Sequence, residues 1–329
     1  MSEKMRAVVI AEPGGPEVLD MRHLPRPEPG PGEVRVRVAS SGLNRADLLQ
    51  RRGKYPVPPG YPKDIPGLEI AGTVEALGEG AVGWDIGDTV MGILGGGGYA
   101  EYALSPASTL VPLPPGMDPV VAGAIPEVFM TAFDALFLQE GLESGETVLV
   151  HAVGSGVGTA AVQLALRAGA IVIGTSRTRE KLEKAREVGL RHSVVADDTW
   201  PDRVLEVTEG RGVDVILDLV GGPYLEGNQR VIAERGRHIV VGVPGGSEGT
   251  LSLRALMGRR ASIRGTVLRA RPLVEKEHLA REFEQRVLPG FEAAELRPVI
   301  DSVFPASEVA EAHRYMEENR NFGKILLEW

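Results

Sequence analysis

The stretch ETVLVHAVGSGVGTAAVQLALRAGAIVIGTS, from Glu146 to Ser176, restricts the fold more than any other part of the chain. Thr147-Val148-Leu149-Val150 is an unbroken apolar run, as in a parallel strand covered on both faces. Gly154, Gly156 and Gly158 follow, where missing side chains let the backbone turn sharply and approach a ligand. The period then changes: Val157, Ala160, Ala161, Leu164 and Ala168 recur at three- and four-residue steps, one face of a helix. Gly169 closes that helix, and Ile171-Val172-Ile173 opens a second strand. Strand, glycine turn, helix and strand make the βαβ unit that sets a pyrophosphate at a helix N-terminus, where unpaired N–H groups and the dipole favour anions.

The glycine fingerprint departs from the strict G-x-G-x-x-G form. Thr159 stands where the third glycine after Gly154 and Gly156 belongs. Read backward from Gly158, the three small positions are Val153, Ser155 and Gly158, so only the glycine that packs helix on strand is secure. The flanking strands and helix favour dinucleotide binding over a bare structural turn. A nucleophile elbow needs glycines two places either side of a serine, and Val153 and Val157 hold those places around Ser155. Three glycines, Gln163 and Arg167 interrupt the segment as a membrane span.

The rest of the chain sets this unit in a larger frame. At 329 residues, two domains are expected, and the hydrophobic content of 43% with 25% charged residues is that of a soluble globular protein. A net charge of −9 and an aromatic content of 5% argue against nucleic acid, which wants a basic groove and stacking rings, and against an anionic membrane surface. No apolar targeting region stands in MSEKMRAVVIAEPGG and no cysteine occurs anywhere, so a cytoplasmic protein without disulfides or thiolate metal sites is expected.

Residues 5–40 read as short strands, Met5 to Ile10 and Val34 to Val38, the second alternating apolar and basic residues like a half-exposed antiparallel strand. A short polar helix and a proline-rich loop follow, then further strands at 73–77 and 88–91. Gly95 to Gly98 is not followed by a helix, so a flexible connection is expected there rather than a phosphate cradle. Val120 to Gly141 reads as helix. Strands at 147–151, 170–175, 192–196, 213–219, 238–243 and 261–266 then alternate with helices near 157–168, 179–188, 201–209 and 223–234. This alternation predicts a doubly wound parallel sheet. Helices at 275–288 and 307–317 precede a terminal strand, Lys324 to Glu328, expected to return to the N-terminal β domain.

Several motifs resemble the quinone oxidoreductase signature of the medium-chain dehydrogenase/reductase superfamily. They are Gly42-Leu43-Asn44-Arg45-Ala46-Asp47 with Arg51, Gly53 and Tyr55; Pro66 to Gly72; Ile125-Pro126-Glu127 with Thr131-Ala132-Phe133; His151 to Gly158; and Asn321-Phe322-Gly323-Lys324. They stand in family order over nearly the whole chain. The resemblance is strongest to the zeta-crystallin-like NADPH:quinone oxidoreductases, above all the tumour-suppressor-inducible branch. It implies a Rossmann domain inserted in a GroES-like β-rich domain: residues 1–122 and 267–329 for the β-rich part, 123–266 for the NADPH-binding part. It implies the site in the cleft between them, and a homodimer, for which the sixth-strand edge is a candidate.

Zinc alcohol dehydrogenases share this fold, with a ligand cysteine and a Gly-His-Glu motif. Here Gly67-Leu68-Glu69 has leucine at the histidine position, and the six histidines are scattered, so no metal is expected. An NAD-selective site places an acid at the end of the second strand, hydrogen-bonded to the ribose 2′-hydroxyl. This strand ends Ser176-Arg177-Thr178-Arg179, which suits a 2′-phosphate, so NADPH is expected; a solvated helix start is the alternative. By resemblance Lys181 also holds that phosphate. Ala196 stands where relatives often have a tyrosine near it.

For the reaction, Asn44, Asp47 and Tyr55 are the polar candidates: an amide orients an acceptor oxygen, and a phenol donates to it. Asn44 also suits a helix cap, and Asp47 suits a loop brace with Arg51. By resemblance Thr131 approaches the nicotinamide. Gly154, Ser155, Gly156, Val157 and Gly158 lie at the diphosphate, and Val241, Gly242 and Val243 at the carboxamide. Leu268, Arg269 and Asn321 are further cofactor candidates. The expected activity is transfer of reducing equivalents from NADPH to quinones, with protons taken from water. Reduction of enones or alkenals, or weakly catalytic nucleotide binding, are the alternatives.

Overall fold

A computed structural model describes residues 3–329 of the chain. They form two units, one running to Met130 and resuming at Leu268–Trp329, the other spanning Thr131–Val267.

In the first unit, β1 (Lys4–Ile10) and β2 (Leu19–Pro25) pair antiparallel, Ile10 opposite Leu19. β3 (Glu33–Gly42) sends Val34, Val36 and Val38 into the core, as its alternation predicts. Its basic face is less open than expected: Arg35 is buried, with Glu75 at 2.6 Å and Glu28 at 2.7 Å on its guanidinium. The chain continues through α1 (Arg45–Arg51), β4 (Glu69–Leu77), β5 (Thr89–Ile93), β6 (Tyr102–Pro106) and β7 (Leu110–Pro112). Gly95, Gly96 and Gly98 are buried, and the carbonyl of Gly95 takes a hydrogen bond from Arg269, so this loop is an anchored element rather than a flexible connection.

The helix expected over Val120–Gly141 is broken. α2 (Pro119–Ala122) stops at Gly123, and α3 (Pro126–Phe133) begins afresh on Pro126, a residue suited to a first turn because it has no N–H to satisfy. A wide π-helical turn, Asp134–Gln139, follows it.

The second unit carries β8 (Thr147–Val150), α4 (Gly156–Arg167), β9 (Ile171–Ser176), α5 (Arg179–Ala185), β10 (His192–Val195), α6 (Trp200–Val207) and β11 (Val213–Asp218). α7 (Leu225–Val231), β12 (Ile232–Val240), α8 (Leu253–Arg259) and β13 (Ser262–Gly265) complete it. All six strands are parallel, in the order β10-β9-β8-β11-β12-β13. The order reverses direction between β8 and β11, the switch point beside which open α/β sheets bind ligands. Leu149, Ile173, Val194, Val204 and Ile216 form its core. Two features differ from expectation: β12 starts at Ile232, inside the segment expected to be helix, and α8 lies outside every expected helix.

The chain then supplies α9 (Leu273–Arg286), α10 (Leu288–Glu292), β14 (Ile300–Pro305), α11 (Val309–Glu317) and β15 (Lys324–Glu328) to the first unit. β15 pairs antiparallel with β3, Leu326 opposite Gly42, inside a seven-stranded sheet. The N-terminal and C-terminal segments of the first unit therefore share one sheet, while β1 and β2 form a separate pair. Among the described residues no helix is long and apolar enough to cross a membrane.

Candidate active site

In the second unit the candidate cofactor residues gather at the carboxyl ends of the parallel strands. β8 delivers the chain to Ser155, which caps α4 by accepting the Gly158 N–H at 3.0 Å. The first-turn N–H groups of Gly156 and Val157 have no acceptor within the helix, the arrangement that receives an anion. A Cβ on Gly158 would lie 2.4 Å from the carbonyl oxygen of Ala152, so helix and strand approach only because that position is glycine. At Gly154 a Cβ would meet the Lys181 side chain at 2.8 Å, so the lysine stem lies against the glycine turn.

β9 ends at Ser176, buried, and Arg177 follows, exposed. The first acid after them, Glu180, is engaged by Lys184 at 2.8 Å. The loop from Ser176 to Arg179 itself contains no carboxylate. Val241, Gly242 and Val243 lie just past the end of β12 rather than on it, with the Val241 N–H bonded to the Asp218 carbonyl at 2.9 Å. Thr131 is buried on α3.

The strand ends are locked together by a buried polar chain whose members sequence reading left scattered. His151 meets Thr175 Oγ1 at 2.8 Å and Asn228 Oδ1 at 2.7 Å, and the Asn228 amide reaches Asp218, which also holds His238 at 3.0 Å. Trp200 and Tyr224 stand edge-on to the His151 ring. Burial holds His151 down to about 4, so it is neutral and structural. Asp218 also accepts the N–H groups of Val220 and Gly221, so its carboxylate holds the turn after β11.

In the first unit two adjoining clusters form. The first is centred on Glu69, wholly buried. Its Oε1 accepts Lys324 Nζ at 2.6 Å and the Asn44 amide at 2.9 Å, and its Oε2 accepts the Glu127 N–H at 2.8 Å. Lys324 Nζ also donates to the Leu43 carbonyl and Asn44 Oδ1. Asn44 is the N-cap of α1, but its side chain is committed to Glu69 and Lys324. The cap is closed instead by Asp47, which accepts the Asn44 N–H at 2.8 Å.

Asp47 further accepts Gly67 N–H and the Tyr99 hydroxyl, and burial, against these bonds, raises its pKa to about 6. The expected pairing of Asp47 with Arg51 does not occur. Arg51 is turned to Glu317, His313 and the Gly14 carbonyl, because α11 packs beside α1 and supplies a better-placed carboxylate.

The second cluster is built on Arg269, which stacks over the Tyr55 ring at 5.0 Å. Its Nε donates to Gly95 O at 2.8 Å and its Nη2 to Gln50 Oε1 at 2.6 Å, while Nη1 is buried with no hydrogen-bond partner. Arg269, expected among the cofactor residues, thus lies against the Tyr55 ring. Lys276 joins the cluster, its Nζ bonded to the Arg269 carbonyl. Glu127 lies within electrostatic reach of Tyr55, Arg269 and Lys276. Leu268 is buried beside Arg269 in sequence, and the Asn321 amide donates to the Gly323 carbonyl, shaping the turn into β15.

Residues 30–115 match the alcohol dehydrogenase GroES-like domain family, and residues 156–285 the zinc-binding dehydrogenase family. A quinone oxidoreductase from Lama guanicoe is 34% identical over 98% of this chain and 97% of its own. The chain belongs to the quinone oxidoreductase family of the medium-chain dehydrogenase/reductase superfamily. A 2-haloacrylate reductase from a Burkholderia species is 31% identical over 98% of each chain. Among solved structures, an NAD-dependent alcohol dehydrogenase superposes with a TM-score of 0.89 at 36% identity, covering 99% of this chain and 100% of its own. A mycobacterial protein in complex with NADPH gives 0.86 at 30% identity over 99% and 100%. This quinone oxidoreductase homologue is therefore an oxidoreductase that uses a nicotinamide cofactor. Its central parallel sheet, inserted in a GroES-like domain, is the family architecture.

Proposed function

We propose that the chain reduces quinones with NADPH and without zinc. One observation carries this reading: Glu69, in the position of the zinc enzymes' Gly-His-Glu glutamate, has its charge met by Lys324, Asn44 and the Glu127 N–H. Leu68 replaces the histidine, and among the described residues no group of three or more His, Cys, Asp or Glu side chains is placed to hold a metal. The donor set does not fit zinc.

The second unit fits a phosphorylated dinucleotide. Gly156 and Val157 would take the diphosphate on their N–H groups, with Gly154, Ser155 and Gly158 shaping the turn. Ser176, Arg177 and Lys181 would hold the 2′-phosphate by charge-assisted bonds. Thr131, Val241, Gly242 and Val243 would bound the nicotinamide half. Bound there, the reduced ring supplies a hydride. The chain's own part is to orient the acceptor, with the Tyr55 hydroxyl as donor, Asn44 and Asp47 bracing the loop that carries it, and the Arg269 cation fixing its ring.

Steady-state oxidation of NADPH and NADH with a quinone and with an alkenal, before and after chelation, tests the proposal. Turnover of the quinone with NADPH, insensitive to chelator, supports it; preference for NADH, or loss on chelation, overturns it. Similarity to a 2-haloacrylate reductase favours activated alkenes as the second reading. A cytoplasmic homodimer joined along the exposed edge strand β13 completes the proposal, and sedimentation would measure its stoichiometry.

A further inference from the structure

Reduction of a conjugated carbonyl compound consumes a proton as well as a hydride, and the first unit contains a candidate source. Three buried or partly buried acids stand together, Asp47, Glu69 and Glu127. Asp47 and Glu69 are each satisfied by three donors. The Glu127 carboxyl has no hydrogen-bond partner among the described residues, although its backbone N–H is fixed on Glu69. It faces Glu69, Asp47, Lys324 and Arg269, and acts in turn on Tyr55 and Lys276. Burial first, then the Glu69 and Asp47 carboxylates, push its pKa up to about 8, against the pull of Lys324 and Arg269. At neutral pH it is a carboxylic acid with a proton to give.

A second observation points to the same place. Arg269 is held on two sides, and its remaining nitrogen, Nη1, is buried and unpartnered beside Tyr55. A buried guanidinium N–H without an acceptor is costly, and a ligand oxygen would relieve it.

Resting on the oxidoreductase reading above, we propose that Glu127 donates the proton that completes reduction, to an acceptor whose carbonyl oxygen lies on Nη1 of Arg269. A bound reduced nicotinamide would supply the hydride that forms the new C–H bond of an alkenal, leaving negative charge on the conjugated oxygen next to the guanidinium. The Glu127 O–H bond breaks and an O–H bond forms on that oxygen, so that an enol leaves. On a quinone the hydride would go to one oxygen and the Glu127 proton to the other, giving the hydroquinone. Glu127, now a carboxylate with part of its surface open to solvent, regains its proton from water. The substrate class is an electron-poor conjugated carbonyl compound, quinone or activated alkene, and the Glu127 proton counts most for enals and acrylates, whose reduced oxygen cannot easily wait for a solvent proton.

Glu127→Gln keeps the size and the backbone bond to Glu69, and tests the assignment in the full-length protein. In the wild type, kcat/KM for an alkenal should fall above about pH 8. In the variant it should be lower by about 10²-fold or more and lose that limb. NADPH binding measured by fluorescence should be unchanged, and quinone reduction less affected, because a hydroquinone anion takes its proton readily from water. Without cofactor, the wild-type infrared spectrum at neutral pH should contain a protonated-carboxyl band that the variant lacks. Arg269→Lys should raise the alkenal KM and leave NADPH affinity intact. An unchanged pH limb in Glu127→Gln, absence of the carboxyl band, or loss of NADPH rather than alkenal affinity in Arg269→Lys would each overturn the assignment. A wild type inactive with both acceptors would refute the oxidoreductase substrate reading instead, and the infrared band would still report on Glu127.

Discussion

Glu127→Gln should stabilise the folded protein at alkaline pH and not in acid. The folded carboxyl titrates near 8, against 4.5 for an unperturbed glutamate. Below the lower value both folded and unfolded chains hold the proton, and Glu127 costs nothing. As pH rises past it the unfolded chain releases the proton while the folded chain must keep it, so folding binds a proton. The cost grows by about 1.4 kcal/mol per pH unit. It levels off once the folded group ionises as well, at a total of roughly 3–5 kcal/mol. A neutral glutamine avoids this cost but brings an amide that needs its own partners, offsetting about 1–3 kcal/mol.

The net expectation is a gain of about 1–3 kcal/mol above pH 8, turning into a loss of about 1–3 kcal/mol in acid, where only the amide cost remains. Urea titrations followed by tryptophan fluorescence suit the question, because Trp84 and Trp329 both belong to the first unit. Equal stability differences at acid and alkaline pH would refute the reasoning, since they would mean that no proton is taken up at this position on folding.

Other consequences are equally direct. Lys324→Met strips the cation from a carboxylate with no solvent access and should cost about 3–5 kcal/mol of stability in calorimetry or urea titration; because Lys324 also pulls Glu127 downward, the alkaline limb of activity should move to higher pH in any variant that folds. A loss below about 1 kcal/mol would mean that the pair is hydrated. Arg177→Asp should weaken NADPH about 10²-fold, from a lost charge-assisted bond and added repulsion, and NADH by no more than about threefold, as read by fluorescence titration; equal losses would retire the 2′-phosphate assignment. Gly158→Ala drives a Cβ into the Ala152 carbonyl and should cost about 1–3 kcal/mol and raise the dinucleotide Kd, whereas an unaffected Kd would show that the turn can yield.

What could be read from the sequence follows the range over which each feature is determined. The run Thr147 to Val150 and the 3.6-residue pattern after Gly156 are local signals, and they place β8 and α4 within a residue of where they lie. β15 was found at its observed limits for the same reason, a short apolar run ending the chain. Errors cluster where local signals conflict. Between Val120 and Gly141 the apolar content outweighed Gly123 and Pro126, which interrupt the helix. At β12 the segment Ile232-Ala233-Glu234 reads as a helix end, whereas Ile232 pairs in parallel register with Val213. Sheet pairing overrode the weak helical preference. In the Gly95–Gly98 loop, composition suggested freedom, but tertiary partners hold its backbone in place.

The chemistry was less legible because charge depends on neighbours distant in sequence. Glu127 occurs in an ordinary apolar helix start, and nothing in Ile125-Pro126-Glu127-Val128 announces an acid that keeps its proton. That property arises from Glu69, 58 residues earlier, whose Oε2 fixes the Glu127 N–H, and from a lysine near the end of the chain. Lys324 reaches Glu69 across 255 residues because β15 returns to pair with β3, bringing the last strand beside the start of α1. With Lys324 neutralising Glu69, the like-charge repulsion on Glu127 is limited. Without the lysine, two buried carboxylates would face a third, and the acid would be pushed further from physiological pH. The closing strand thus tunes the proton donor, so shortening or disrupting β15 should shift the pH profile before it abolishes nucleotide binding in the second unit. Loss of both together in a β15 variant would show that the lysine's role is confined to folding.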